Sequence, residues 1–325
     1  MGARILLTGA AGFVGSHLAE ELLERGDSVV GVDNFDPFYS PAEKRANLER
    51  ARGHSSFSLL EVDCADSEAL DRALGPESFD AVVHLAAKAG VRPSIAHPFE
   101  YARANLLGTQ AILEAARERG VGRIVFGSSS SVYGDNGKVP FSEDDPVERP
   151  ISPYAATKRG GELLCHAHQH LHGGSVLALR YFTVYGPRQR PDLAIRKFAE
   201  LMLRGEPIPV FGDGSSARDY TWVGDIVAGT VAALDYTEAA QAGFDILNLG
   251  GNRTTSLSRL IELIGEAVGA APSISRLDAQ PGDVRRTHAD IDKAARLLGY
   301  APRVGVEEGV PRMVEWLRER RPAQP

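Results

Sequence analysis

The sequence predicts an α/β protein with a doubly wound parallel sheet and a smaller, interleaved C-terminal domain. In the first half of the chain, short apolar runs alternate with amphipathic stretches, as in sheets whose strands are buried between helices. After residue 180 the sequence becomes rich in Gly, Pro and Arg, which is typical of loops that shape a pocket. We therefore expect a sheet domain over 1–180, to which the chain returns around 223–250, and a second domain formed mainly by 181–325.

The individual elements follow one another in the order that such a sheet requires. Strands are predicted at the runs RILLTG, SVVGVD, FSLLEVD, FDAVVHLAA and GRIVFGSSS. Helices are predicted over 13–25, 42–52, 67–74, 101–119, 223–235 and 256–268, and a further helix is expected to begin at Pro153. Because parallel neighbours need a crossover between them, this alternation favours a parallel sheet over hairpins.

Composition limits the classes of function. The chain has 325 residues, of which 43% are hydrophobic and 24% charged, so it is long enough to bury a large core. The formal charge of −7 argues against a nucleic-acid partner. Two cysteines, Cys64 and Cys165, suit a reducing compartment, and the glycine-interrupted N-terminus resembles neither a signal peptide nor a membrane span. We expect a cytoplasmic protein without membrane contact.

The stretch TGAAGFVG predicts a dinucleotide site. It places Gly9, Gly12 and Gly15 directly after the first strand and at the start of the first helix, where the backbone can approach a pyrophosphate. Asp33 ends the second strand, where a carboxylate accepts hydrogen bonds from an adenosine ribose and repels a 2′-phosphate. These features predict a Rossmann-like fold that binds NAD in preference to NADP.

Further strand ends extend the predicted cofactor site. Asp63 follows the third strand within reach of an adenine amino group, and the small Ala86 and Ala87 follow the fourth, beneath the middle of the cofactor. The residues predicted here to contact the cofactor are Gly9, Gly12, Phe13, Val14, Gly15, Asp33, Asn34, Asp63, Cys64, Leu85, Ala86 and Ala87.

The stretch SPYAATKRG contains a tyrosine and a lysine that could act together in catalysis. Tyr154 and Lys158 are four residues apart, so on a helix they project from the same face. A nearby ammonium stabilises phenolate, which lets a tyrosine act as a base. The alternative is a tyrosine that merely packs on the lysine stem.

With the glycine turn, GSSSSVYG and YAATK in view, the chain resembles the extended short-chain dehydrogenase/reductase family of sugar-nucleotide epimerases and dehydratases. The resemblance extends to GDGSSARDYTWVGDI and GDVRRTHADIDKA. It implies that Tyr154 is the acid/base, that Ser129 holds the reacting hydroxyl, and that Lys158 binds the nicotinamide ribose and lowers the tyrosine pKa from about 10 toward neutrality. The sheet domain would then bind NAD and the second domain a UDP-sugar.

Two segments indicate which reaction within the family to expect. Dehydratases carry an acidic pair where this chain has Ser130 and Ser131, and decarboxylases carry a glutamate in this segment, so both reactions are disfavoured. Thr183 and the stretches GPRQRPDLA and DNFDPFY most resemble the corresponding segments of family members that epimerise UDP-glucuronate at C4. The alternatives are epimerases of UDP-glucose or UDP-N-acetylhexosamine and, from another class, a non-catalytic NAD-binding sensor.

The predicted substrate site follows from this resemblance. Ser130, Ser131 and Thr183 offer hydroxyl donors to a sugar carboxylate, although serines at strand ends often only cap backbone. Arginines provide bidentate partners for the nucleotide, with either Arg285 or Arg286 facing the diphosphate. The residues predicted to bind substrate are Ser129, Ser130, Ser131, Tyr154, Thr183, Arg190, Val210, Arg218 and Arg285.

The histidine-rich run CHAHQHLHG has a zinc-like spacing. His166 with His170, and His168 with His172, are each four residues apart, but the two pairs lie on different helix faces without a neighbouring acidic ligand. We therefore predict no metal site. A homodimer is expected through the helices near 101–119 and 154–172, and His84 is expected to hydrogen-bond to backbone.

Overall fold

A seven-stranded parallel sheet forms the centre of the fold. The computed structural model describes residues 2–239, 242–278 and 284–320. In spatial order the strands are β11 (Gly243–Leu249), β6 (Ser175–Tyr181), β5 (Arg123–Ser129), β4 (Ala81–His84), β1 (Arg4–Thr8), β2 (Ser28–Asp33) and β3 (Phe57–Glu61). The strand order reverses direction between β1 and β4, which opens a crevice at their carboxyl ends. The predicted doubly wound α/β fold is confirmed.

Helices cover both faces of this sheet. Alternate residues of β1 enter different cores: Ile5 and Leu7 lie in one, with residues of the first and tenth helices, and Leu6 lies in the other. The helices are α1 (Phe13–Glu24), α2 (Pro41–Asn47), α3 (Glu49–Arg52), α4 (Ser67–Leu74), α5 (Val91–Ala96), α6 (Pro98–Ala102), α7 (Gly108–Glu118), α8 (Pro153–His172), α9 (Ala194–Leu203), α10 (Val223–Ala239), α11 (Leu257–Val268), α12 (Asp292–Leu298) and α13 (Val306–Glu319). None of the helices described has the length and apolar character that crossing a bilayer requires.

The helix predicted over 101–119 is present, but one of its turns is π-helical. A π-helical turn, Arg103–Leu107, separates α6 from α7 and points Asn105 inward. The Asn105 side-chain amide accepts the Lys88 N–H at 2.8 Å and donates to the Lys88 carbonyl at 2.9 Å. It also donates to the Thr157 hydroxyl at 2.9 Å. The turn thereby links the end of β4 to α8.

Short strands and three helices build the C-terminal part of the fold. The strand pairs are β7 (Val184–Tyr185) with β10 (Thr221–Trp222), β9 (Ala217–Arg218) with β12 (Thr255–Ser256), and β8 (Ile208–Phe211) with β13 (Ile274–Leu277). A third core joins α9, α11 and α13. Between these segments the chain returns to the central sheet through α10 and β11. The domain limits given above remain a prediction.

Candidate active site

A cavity of about 740 Å³ lies at the carboxyl ends of the central strands. Every residue predicted to contact the cofactor lines it. Of the residues predicted to bind substrate, Ser129, Ser130, Ser131, Tyr154, Thr183 and Arg190 line it as well. The fold thus brings segments that are far apart in sequence into one site, although the individual roles of these residues remain predictions.

The glycine turn forms one end of this cavity. Gly9 has a φ of +72°, and a Cβ there would lie 2.8 Å from the backbone nitrogen of Ala86. A Cβ on Gly15 would lie only 2.0 Å from the Gly9 carbonyl oxygen. Gly12 precedes α1 and offers no side-chain cap, and Gly12, Phe13, Val14 and Gly15 at the start of the helix line the cavity. This arrangement fits a pyrophosphate at the helix N-terminus.

Asp33 closes β2 beside the glycine turn. One carboxylate oxygen accepts the Ala11 N–H at 3.1 Å, and the other accepts the Phe35 N–H at 2.8 Å. Burial raises the pKa of Asp33, and the ammonium of Lys44 opposes that shift. The backbone thus fixes the carboxylate at the cavity wall, an environment that fits a ribose diol and repels a 2′-phosphate.

Asp63 lies at the same end, after β3. Burial opposes ionisation, but hydrogen bonds from the Ala65 N–H and the Arg103 guanidinium together hold the pKa of Asp63 below its ordinary value. The bonds measure 2.9 and 2.7 Å. Asp63 therefore stays an ionised acceptor at the predicted adenine position.

Sequence reasoning missed a charged cluster on the cavity wall. The Lys88 ammonium lies 3.2 Å from Asp36 and 2.6 Å from Glu100, and all three residues line the cavity. They come from three separate segments, so no local pattern could pair them, although Lys88 directly follows the small residues noted above. Other lining residues that were not predicted include Phe38, Tyr39, Lys44 and Arg103.

Tyr154 and Lys158 lie in the first turns of α8. Pro153 opens this helix, and the Ser152 hydroxyl accepts the Ala155 N–H at 3.1 Å, which fixes the helix start. Ser129, at the end of β5, lines the same cavity as Tyr154. The Lys158 ammonium donates to the Gly127 carbonyl at 2.7 Å. This bond joins α8 to β5.

Burial dominates the electrostatics of this pair. It raises the pKa of Tyr154, and the Ser129 hydrogen bond and the charge of Arg190 offset only part of the rise. Burial lowers the pKa of Lys158 to about 8. The Lys158 ammonium is bonded to the Gly127 carbonyl, and its lowering of the Tyr154 pKa remains a prediction.

Hydroxyl groups cluster beside Tyr154. The Ser129 hydroxyl accepts the Ser131 N–H and donates to the Ser131 hydroxyl, each at 3.2 Å. Ser130 and Ser131 begin a short 3₁₀ turn after β5, and Thr183 approaches from the connection between β6 and β7. Ser129 thus caps the local backbone, and Ser129, Ser130, Ser131 and Thr183 all line the cavity.

Arg190 reaches the cavity from the loop after β7. Its guanidinium donates to the Ala89 carbonyl at 3.1 Å and to both carboxylate oxygens of Asp192 at 3.0 Å. It also lies 5.1 Å from the ring centre of Phe38. Arg190 is therefore a fixed positive charge at the cavity wall.

Three predicted substrate residues do not line this cavity. The Val210 side chain is 2% exposed in the third core, so only its backbone is left for a ligand. Arg218 donates to the carbonyls of Ala217 and Arg285, at 3.0 and 3.4 Å. Arg285 is exposed, and Arg286 donates to the Thr254 hydroxyl at 3.2 Å. The contacts that the sequence predicted for these residues remain predictions.

His84 differs from the expectation of a backbone partner. Its Nδ1 lies 2.6 Å from the Thr8 hydroxyl and its Nε2 lies 3.0 Å from the Thr109 hydroxyl. Burial and the charge of Lys158 lower the pKa of His84 to about 3. The prediction was wrong because β1 and α7 bring two hydroxyls that the local sequence does not reveal.

The histidine run lies along α8. The rings of His168 and His172 are 5.0 Å apart, and His166 packs against Phe244. Across the described ranges, no group of three or more His, Cys, Asp or Glu residues could hold a metal ion.

Known proteins share this chain's sequence and fold. The family model described as NAD dependent epimerase/dehydratase matches residues 5–250. The chain is 40% identical over 315 residues to a UDP-glucuronate 4-epimerase of Thermodesulfobacterium geofontis, covering 97% of this chain and 96% of that protein.

Two solved structures extend the comparison. UDP-glucuronic acid 4-epimerase from Bacillus cereus, in complex with UDP-glucuronic acid and NAD, has a TM-score of 0.90 at 37% identity and covers 97% of this chain and 99% of that chain. UDP-glucose 4-epimerase from Thermotoga maritima, with UDP-glucose, has a TM-score of 0.88 at 34% identity, with coverages of 97% and 99%. The resemblance inferred from the sequence is thereby confirmed, and the chain belongs to the NAD dependent epimerase/dehydratase family.

Proposed function

We propose that the chain catalyses NAD-dependent epimerisation of a UDP-sugar at C4, with UDP-glucuronate and UDP-galacturonate as its substrate pair. The main support is one cavity that joins a dinucleotide cradle to Tyr154, Ser129 and Lys158 and to a cluster of further hydroxyls. The similarity to UDP-glucuronate 4-epimerases over nearly the whole chain supports the same reaction.

The proposed acid/base work belongs to Tyr154. Ser129 holds the C4 hydroxyl while the Tyr154 phenolate takes its proton, and once hydride has returned to the opposite face of C4, Tyr154 gives the proton back to the same oxygen. Bound NAD supplies a reversible hydride acceptor and, when oxidised, a positive charge beside the phenol. Since C4 is oxidised and then reduced, turnover consumes no cofactor. Gly9, Gly15 and Asp33 are the residues that best fit the bound cofactor.

Ser130, Ser131 and Thr183 are proposed to hold the sugar carboxylate. Oxidation at C4 places a ketone β to that carboxylate, and such an acid loses CO₂ when its C–C bond stands perpendicular to the carbonyl plane. Hydroxyls fixed on strand ends can keep the carboxylate out of that geometry until C4 is reduced. The absence of a carboxylic acid at positions 130 and 131 also removes the proton donor that a dehydratase needs.

A second candidate is epimerisation of UDP-glucose, which the likeness to the Thermotoga maritima enzyme favours. Incubating the purified protein with each UDP-sugar and separating the products by chromatography tests both. We expect UDP-glucuronate to react faster, because donors arranged for a carboxylate gain less from a hydroxymethyl group. Faster conversion of UDP-glucose would refute the uronate assignment and leave the C4 chemistry standing.

We also propose a homodimer and a cytoplasmic location. Leu107, Leu163 and Leu171, on the π turn and α8, are 59%, 52% and 71% exposed, as a helix-to-helix interface would require. Sedimentation of the wild type and of Leu171→Glu tests the dimer, and a monomeric wild type would refute it. Cys64 and Cys165 are both buried and unpaired, which supports a reducing compartment, and cell fractionation tests the location.

A further inference from the structure

The loop that follows β7 is attached to helix α1. His17 donates from Nε2 to the Pro187 carbonyl at 2.9 Å, because a carbonyl can only accept. One turn further along α1, Glu20 accepts from the Arg188 guanidinium at 2.7 Å and lies 3.7 Å from Arg50 of α3. The helix that begins at the glycine turn therefore contacts two consecutive residues of a loop from the C-terminal half.

The next residue of the loop is fixed by neighbours of its own. Gln189 is 1% exposed, and its amide donates to the Val184 carbonyl at 2.9 Å. Its backbone carbonyl accepts from Arg196 at 2.7 Å, and Arg196 also pairs with Glu43 of α2 at 2.9 Å. This part of the loop is therefore held both by its own segment and by α2.

Arg190 directly follows these contacts and lines the cavity. Arg188 has a φ of +65°, a left-handed conformation that L residues seldom adopt, so contacts that hold its side chain stabilise the path of the loop. The Glu20 carboxylate supplies that hold. The attached Arg188 lies two residues before the guanidinium that contacts Ala89 and Phe38.

We propose that His17 and Glu20 are positioning residues that act through Arg190. Helix α1 would then serve both ends of the site, by binding the cofactor with its first turn and by fixing the substrate arginine with its second and third turns. This inference rests on the proposed function, in which Arg190 binds the UDP-sugar.

Kinetics of Glu20→Gln test the proposal, with Glu21→Gln, an exposed neighbour on the same helix, as the matched control. We expect Glu20→Gln to raise KM for UDP-glucuronate about fivefold, with kcat and bound NAD within about twofold of wild type, because a charge-assisted hydrogen bond is lost outside the reacting centre. The control should match wild type. An unchanged KM in Glu20→Gln would overturn the proposal.

A double variant separates positioning from general destabilisation. If Glu20 acts through Arg190, then adding Glu20→Gln to Arg190→Ala should leave KM as it is in Arg190→Ala alone. Effects that multiply would mean that Glu20 acts by another route, and the proposal would fail. His17→Gln offers a second variant should Glu20→Gln not fold, and it should raise KM in the same direction.

Hydrogen exchange provides a readout that does not need turnover. Peptides that cover residues 186–193 should exchange faster in Glu20→Gln than in wild type or in Glu21→Gln, while peptides of the central strands stay unchanged. If the wild type converts no UDP-sugar, the proposed function fails, and exchange alone still decides whether α1 holds the loop. Unchanged exchange in the loop would refute the attachment itself.

Discussion

Replacing Thr183 with valine tests the proposed carboxylate site. The change deletes one hydroxyl and keeps nearly the same volume, and the Thr183 backbone carbonyl can still accept the Thr221 N–H at 3.0 Å. A hydrogen bond to a charged group contributes about 1.5–3 kcal/mol, which corresponds to about 10- to 150-fold in rate or affinity. Because Thr183 is only half-buried, water can replace part of the lost bond, and we expect about a 10-fold loss.

The assay measures two quantities with UDP-glucuronate labelled at the carboxyl carbon. One is kcat/KM from initial rates, and the other is the labelled CO₂ released per epimerisation. We expect Thr183→Val to lower kcat/KM and to raise the decarboxylated fraction, because the carboxylate gains freedom to rotate. Thr183→Ser keeps the hydroxyl and should stay close to wild type in both measurements.

Two results would refute this reasoning. If Thr183→Val retains wild-type kcat/KM and releases no additional CO₂, then Thr183 does not hold the carboxylate. If Thr183→Ser loses as much activity as Thr183→Val, then the methyl group matters, and the residue acts through packing.

Three further variants test the predicted roles within the site. Tyr154→Phe should keep the fold and bound NAD but lose at least about 100-fold in kcat, the usual scale for a lost general base; near-normal turnover would exclude that role. Lys158→Met should lose activity and retain less NAD through purification, so an unchanged NAD content would count against the ribose contact. Asp33→Ala should weaken NAD binding and reduce the preference for NAD over NADP, which titration with each cofactor measures. A wild type that prefers NADP would contradict the assignment of NAD.

Much of the fold could be predicted because its signals are local. Apolar runs separated by amphipathic stretches identify buried strands and their crossovers. The glycine turn is recognisable because a few closely spaced positions leave no room for a side chain. The spacing of Tyr154 and Lys158 predicted a shared helix face, and both side chains line the cavity beside Ser129. These inferences needed no knowledge of distant contacts.

The features that were missed depend on distant contacts. Lys88 meets Asp36 and Glu100 only after β4, β2 and α6 have assembled. The π turn carries Asn105, whose amide bonds Lys88 and Thr157, and both of these residues lie far from it in the sequence. Periodicity describes which face of an element is buried, and it carries no information on which polar partner arrives there.

The late position of β11 in the chain has a consequence for synthesis. Strand β6 ends at Tyr181, yet its outer edge pairs with a segment that begins only at Gly243. A nascent chain therefore exposes an unpaired strand edge until the seven partners from Gly243 to Leu249 have left the ribosome. A fragment that stops at residue 181 would keep that edge open, and we expect it to aggregate more readily than a fragment that extends through β11.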